Sequence, residues 1–394
     1  MAKVQEPLYY SQLECPVCKT VNEYAIIKNG AYTESGRDTD FCPTGRVWQN
    51  PAYQKFDPLL FFMATCRKCY YTHELDNDFK NWQKDSSFKA YRLKTIQEKH
   101  LADYLNDNGL VKFLGSHLDE NRYPCETAII KFILGIFDEK CLDRPSKLNI
   151  GRYFIRIGWL FRTHNLSAAD SSEGAGGFLA RQAEAVIGIG KSLSDNKARI
   201  DDLGGGLIRD FDIALAQLQS AADLKKAFGD HLERIKKSLD TAIEATGELS
   251  RVLIDARQAL ASGSTGSGEY GFFEFRTFAE FLQQTKLKWS ETPLNEAEAL
   301  LRARDYYKQA YESGDKVTTG IGQLQAAYLI AELSRRTGDH ATANEFFNIV
   351  IRNGRDFVHG KKGDSSSIAY AKKLLEMAME QARKSIKEKE EVAV

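Results

Sequence analysis

Apolar and polar positions follow three different rhythms along this chain. Over residues 1–82 there is no long periodicity. Tyr, Phe and Trp recur between the turn residues Gly30, Gly36, Pro43, Gly45, Pro51 and Pro58. Short strands are expected at 21–28 and 61–65. From about residue 85 the rhythm becomes helical. Leu93, Ile96, His100, Leu101, Tyr104 and Leu105 fall at three- and four-residue steps and predict a helix over 91–106. Two more helices are predicted over 125–140 and 147–163, broken by Pro145, with Ser146 placed to cap the second. After an aromatic stretch at 272–289, helices are predicted over 294–313, 322–337, 340–353 and 365–387, with 387–391 as a solvated, fraying tail.

The third rhythm repeats every 3.5 residues. Two small, polar segments, 167–177 and 262–271, read as flexible linkers and bracket an insert at 178–261. Steps of four and three lead through Leu207, Phe211, Ala214, Leu218, Ala221, Lys225, Phe228, Leu232, Ile235, Leu239, Ala242, Thr246, Leu249, Leu253, Ala256 and Leu260. Fourteen of these sixteen positions are apolar. Such a seam calls for a coiled-coil partner, and a continuous helix of this length would run about 80 Å. The preceding piece carries Leu179, Ala183, Val186, Leu193 and Ile200, and Gly204-Gly205-Gly206 offers a turn. An antiparallel hairpin zipped on itself and a projecting arm that dimerises or docks a partner both satisfy the pattern.

Composition narrows the class. Lys plus Arg and Asp plus Glu are 54 each, with 43% hydrophobic and 27% charged residues, as in an ordinary globular protein. Residues 1–122 alone hold 16 basic and 16 acidic side chains. A nucleic-acid reader usually has a basic field, so nucleic acid is not the expected partner. The start of the chain has no apolar core of a secretory signal, and the apolar stretches at 58–64 and 128–137 are too short to span a bilayer. A cytoplasmic protein is expected, in which paired cysteines read as metal ligands before disulfides.

Two Cys-x-x-Cys pairs carry the clearest chemistry: Cys15-Pro16-Val17-Cys18 and Cys66-Arg67-Lys68-Cys69, 47 residues apart. Each can aim two sulfurs at one ion, and four thiolates make a structural zinc site with no open position. The spacing suits a zinc ribbon with an inserted loop; a redox dithiol is the rival reading. Cys42, Cys125 and Cys141 remain outside the pairs. His73 and Cys42 are reserve ligands. Asp38, Asp40 and Cys42 alternate, so on an extended segment all three would face one side. They could bind a second cation or serve acid–base chemistry, although aspartates in such places more often cap turns. His100 and His117 have no evident partner and read as packing residues. No phosphate-binding Gly-x-x-x-x-Gly-Lys-Ser/Thr motif is present, and no catalytic or cofactor-binding constellation emerges.

The helices also follow a repeat grammar. Ala331, Gly338, Ala343 and Phe347, at spacings of 7, 5 and 4, occupy the small, turn, small and aromatic positions of a tetratricopeptide repeat. Ser334 and Val350 replace the usual tyrosine and alanine. A second unit is expected to be split: Phe154, Ile157, Gly158 and Phe161 on its first helix, Ala303, Tyr307 and Ala310 on its second, with about 133 residues inserted at the loop.

Taken with the segments Gly36–Pro43, Asn50–Tyr53 and Tyr328–Gly338, the cysteine pairs resemble an uncharacterised bacterial domain-of-unknown-function family. Its members have an N-terminal cysteine-knuckle domain followed by tetratricopeptide-like helices. The resemblance covers about 1–166 and 272–355 and leaves out the insert. The second knuckle departs from it: Arg67-Lys68 replaces the usual Pro-x, and Tyr70 stands where glycine is common. It implies an architecture and no activity.

The expected fold is α+β, mainly α. A zinc-ribbon-like domain (1–82) precedes a helical body in two parts (83–166 and 272–394), separated by linkers and a coiled-coil insert (167–271). The leading functional expectation is a non-enzymatic scaffold or assembly factor, binding proteins through a helical groove and the arm, with homo-oligomerisation through the arm as a variant. The alternatives are a nucleic-acid-associated regulator reading through the ribbon, and a metal- or thiol-dependent enzyme at Asp38, Asp40 and Cys42.

Overall fold

The computed structural model of the chain describes residues 6–75, 79–164, 193–204, 221–262, 272–315, 320–360 and 363–392. It divides into two compact units, Met1–Ala168 with Phe272–Val394, and Ala169–Gly271.

The first unit begins with three antiparallel strand pairs. Strand β1 (Leu8–Glu14) pairs with β2 (Val21–Ile27), β3 (Tyr32–Glu34) with β4 (Arg46–Trp48), and β5 (Met63–Thr65) with β6 (Thr72–Glu74). Single 3-10 turns follow at Pro51–Tyr53 and Pro58–Phe61. Each has proline at its start and a side chain, Asn50 or Asp57, capping it. Small aromatic cores fill the gaps: Trp48 packs with Tyr32, Tyr53 and Phe61, and Tyr71 and Tyr24 pack on Phe79.

Among the described residues the helical body consists of α1 (Leu93–Leu105), α2 (Leu110–Gly115), α3 (Pro124–Lys140), α4 (Lys147–His164), α7 (Phe278–Lys288), α8 (Glu296–Ser313), α9 (Gly320–Arg336), α10 (His340–His359) and α11 (Ser365–Val392); α5 (193–204) and α6 (Ala221–Ser262) belong to the second unit. Helix α3 explains the apolar run at 128–137. Ala128, Ile129, Ile130, Phe132, Ile133, Leu134 and Ile136 are all fully buried, as in a central core helix. Lys131, within this run, is buried but ion-paired with Glu120 and bonded to the Leu60 carbonyl (3.2 Å).

Helix α4 packs on α8 with small residues at the crossings. Gly158 faces Leu300 and Ala299, and Gly151 faces Tyr307 and Ala303. Helices α9 and α10 meet through a turn at Gly338, whose φ of +80° suits glycine. Ala331, Ala343 and Phe347 are fully buried, and Asp339 caps α10 through the Thr342 amide (3.1 Å).

Two helices outrun their predicted ends. Helix α10 continues past residue 353 because Gly354 is buried in contact with Leu324 and Leu375. The expected fraying tail at 387–391 is instead part of α11, where Glu388 takes two hydrogen bonds from Arg335 (2.8 and 3.0 Å).

In the second unit, α5 covers 193–204 and α6 covers Ala221–Ser262. They run antiparallel: Lys197 pairs with Asp240, Lys236 with Asp201 (2.6 Å), and Gly204 lies against Leu232. Gly204 is helical; Gly205 and Gly206, on which the expected turn also rests, lie outside the described residues. The linker 167–177, the residues Leu179, Ala183 and Val186, and the seam residues Leu207, Phe211, Ala214 and Leu218 lie outside the described residues.

Candidate metal centre

Each Cys-x-x-Cys pair forms the turn of a strand pair, and the two turns have the same backbone. In the first, the Cys15 amide donates to the Thr20 carbonyl (2.9 Å) and the Lys19 amide to the Cys15 carbonyl (3.0 Å). In the second, the Cys66 amide donates to Tyr71 (2.9 Å) and the Tyr70 amide to Cys66 (2.8 Å). The residue after the last cysteine is left-handed in both, with φ of 64° at Lys19 and 62° at Tyr70. This is where a glycine would be favoured. Both residues find compensating contacts. The Lys19 ammonium lies 3.7 Å from the Trp82 ring centre, and Tyr70 covers Gly115 and meets Tyr104 edge-on.

The matching turns bring all four sulfurs within 4.8 Å of one another. Cys15 Sγ lies 3.7 Å from Cys69 Sγ, and Cys18 Sγ lies 3.5 Å from Cys66 Sγ. A tetrahedral tetrathiolate with metal–sulfur bonds of about 2.3 Å has edges of about 3.8 Å. A disulfide would need about 2.0 Å, and all four are free thiols. Cys15, Cys66 and Cys69 are buried and Cys18 is partly exposed. Hydrogen bonds from Cys15 and Cys69 hold the Cys66 thiol well below its ordinary range. The bond with Cys66 pushes Cys15 up, and the bond with Cys15 pushes Cys69 up. Thiols crowded this closely cannot all ionise beside one another without a cation, so the donor set fits a metal ion.

Side chains around the cluster fix its geometry. Asn22 donates to Cys66 Sγ (3.4 Å) and to the Thr20 carbonyl (3.0 Å), and accepts from the Arg67 amide (3.0 Å), so it spans both knuckles. Fully buried His100 donates from Nε2 to the Cys69 carbonyl (2.8 Å), and its Nδ1 meets Asp138 at 2.6 Å. Asp138 also accepts from the Thr72 amide (2.7 Å). Burial would strip the charge from His100, but the Asp138 carboxylate outweighs it and raises the imidazole pKa. The second knuckle is thereby tied to α1 and α3. The sequence singles out neither Asn22 nor Asp138, and it reads His100 as a packing residue with no evident partner. A helical histidine carries no local sign that its partners lie 31 and 38 residues away.

The reserve ligands do not join. His73 is buried and bonds Glu139 (3.3 Å). Cys42 lies outside the cluster, with its thiol pushed up to about 11 by burial and then by Asp40. The Asp38–Cys42 segment is a tight turn and not extended: the Asp38 amide donates to the Cys42 carbonyl (2.8 Å), and Phe41 has φ of 68°. The two aspartates face arginines instead of one another across a metal site. Arg162 binds Asp38 (2.9 Å) and Asp40 (2.7 Å), and Arg336 binds Asp38 (2.7 Å). Burial opposes ionisation of Asp38, but the Thr39 amide and Arg336 outweigh it and hold the carboxyl below its usual range. Tyr328 donates to the Thr39 carbonyl (2.9 Å), so this turn is docked on α4 and α9. His117 is likewise a packing residue, bonded to Glu274 (2.9 Å) among Phe113, Phe272, Phe273, Phe275 and Phe281.

No helix among the described residues is long and apolar enough to cross a membrane. No curated protein and no solved structure matches the chain. Residues 8–176 and 285–383 match a family described as an uncharacterized protein conserved in bacteria (DUF2225), and the unmatched stretch between them contains the insert. With both knuckles and most of the helical body inside the match, the chain belongs to this bacterial family.

Proposed function

We propose that this protein is a non-enzymatic interaction scaffold or assembly factor whose N-terminal ribbon is held by a structural zinc ion. The convergence of four cysteine sulfurs from two matching turns carries the zinc reading. An all-thiolate donor set selects a soft ion, and four protein ligands leave no coordination position for water or substrate. Such a site holds a fold together. The arginine-neutralised state of Asp38 and Asp40 and the protonated Cys42 weigh against an enzyme there.

The protein-binding reading is supported by the antiparallel α4–α8 and α9–α10 pairs with small residues at their crossings. We read that arrangement as tetratricopeptide-like; stacked units of that kind present concave surfaces to protein partners. The antiparallel contacts of α5 with α6 support an arm zipped on itself over those residues. Ile235, Leu249 and Val252 on α6 are exposed, which leaves apolar surface for a partner or a second copy. Free cysteines throughout accord with a reducing cytoplasm.

Affinity purification from the native cell, with intact protein and with protein lacking 178–261, tests this reading. A specific protein partner is expected, lost or weakened without the arm if the arm binds it. Recovery of nucleic acid, with an affinity that falls steeply with salt, would overturn it in favour of a nucleic-acid-associated regulator.

A further inference from the structure

The cleft beside the cysteine cluster has the chemistry of a peptide site. It encloses about 510 Å³ and is bordered by consecutive residues of two strands, Glu23–Ala25 of β2 and Met63–Thr65 of β5. Yet among the described residues β2 pairs with β1 alone and β5 with β6 alone. In the first pair the bonds Lys28 amide to Pro7 carbonyl and Cys15 amide to Thr20 carbonyl set the alternation. Asn22, Tyr24 and Ile26 therefore bond to β1, and Glu23 and Ala25 direct their N–H and C=O groups to the other edge. In the second pair the bonds Leu75 amide to Phe62 carbonyl and Cys66 amide to Tyr71 carbonyl set it in the same way. There Met63 and Thr65 turn outward. Among the described residues, both strands thus border the cleft with an edge that no other strand pairs.

The side chains favour the same occupant. The Tyr24 hydroxyl is buried without a hydrogen-bond partner, on a residue only 9% exposed that lines the cleft. Met63, Phe61 and Leu118 supply apolar wall. The charged lining is Glu23, Asp119 and Glu120 against Arg67 and Lys131, and Lys131 is already paired with Glu120. The net balance is acidic. Asn22 bonds Cys66 and the Arg67 amide, two residues of the lining.

We infer that this cleft binds an extended peptide by strand addition to the β2 edge, with an apolar side chain in the cleft and a Lys or Arg beside Glu23. Main-chain bonds to an exposed edge give affinity, and pockets for alternate side chains give selectivity. The site is formed by the ribbon together with Leu118, Asp119, Glu120 and Lys131 of the helical body, and it stands whether or not the helical groove or the arm binds a partner. Cys66 of the cysteine cluster is among its lining residues.

The test is selection of random linear peptides displayed on phage against the full-length, zinc-loaded protein. Binding of the selected peptides is then measured on the wild type, Ala25→Pro and Glu23→Lys. Ala25→Pro removes an outward N–H and leaves the bonds to β1 in place; Glu23 is exposed and its reversal spares the fold. The expected result is an apolar-plus-basic consensus that loses at least about tenfold in affinity on Ala25→Pro and also weakens on Glu23→Lys. Bound peptide should slow amide exchange at Glu23 and Ala25. If Ala25→Pro fails to fold, Glu23→Lys and the exchange pattern decide. No linear binder, or binders indifferent to both substitutions and without protection at Glu23 and Ala25, would overturn the inference.

Discussion

The cysteine knuckles and the Asp38–Cys42 turn lie in one β-rich region, and both carry residue types that bind metals. The structure gives them opposite fates. In the knuckles, two turns with the same hydrogen bonds aim four like donors at one point. In the turn, the acidic donors are already satisfied by Arg162 and Arg336 from distant helices. A ligand-like pattern becomes a metal site only where the protein has not neutralised it.

This contrast can be broken most forcefully at the knuckles. Cys66→Ser, or removal of metal by a chelator, should cost the region most of its stability. Zinc binding in small modules contributes on the order of 10–16 kcal/mol of apparent folding free energy. Limited proteolysis should then cut within 6–82 first, and four thiols should become reactive to a thiol reagent on chelation. Cleavage unchanged by chelation would remove the structural role.

The turn should fail differently. Arg162→Ala leaves Asp40, which is fully buried, without its main partner. Breaking a buried pair costs about 3–5 kcal/mol, measurable by denaturant unfolding, with metal content unchanged. Loss of bound metal in this variant would mean the two regions are not separable as argued.

Much of the knuckle was legible because its signal is local. Two cysteines at fixed spacing report their own turn, and the helical rhythm reported α1, α3, α4, α8 and α9 within a few residues of their ends. The turn was not legible in the same sense. Asp38-Thr39-Asp40-Phe41-Cys42 reads as alternating, and nothing local says that Arg162 and Arg336 will fold back onto it. The same limit hid the His100–Asp138 bridge and the docking of Glu388 on Arg335. Strand β1 was missed because Tyr9, Tyr10, Ser11 and Gln12 on a half-exposed strand lack an alternating apolar face.

Acid should sharpen the contrast at smaller scale. The folded pKa of Asp38 lies below its unfolded value of about 3.9, so its contribution is fully present above that value. It is lost as pH falls through the folded value. The stability gap between the wild type and Asp38→Asn should therefore close on acidification below about pH 4; a gap that widens would contradict the ion-pair account. The smallest effect is expected at Lys19→Gly. Glycine relieves about 1–2 kcal/mol of left-handed strain, but the substitution forfeits about 0.5–1 kcal/mol of contact with Trp82 and adds unfolded-state freedom. Thermal unfolding should move by less than the equivalent of about 1 kcal/mol, whereas Tyr70→Gly should destabilise by uncovering Gly115.

The most direct measurement is the metal content of the intact protein, purified anaerobically without chelators or affinity metals, alongside Cys66→Ser. The account predicts one zinc per wild-type chain, bound by four thiolates, and its loss in the variant. Metal-free wild-type protein that is folded and resists proteolysis over 6–82 would contradict it.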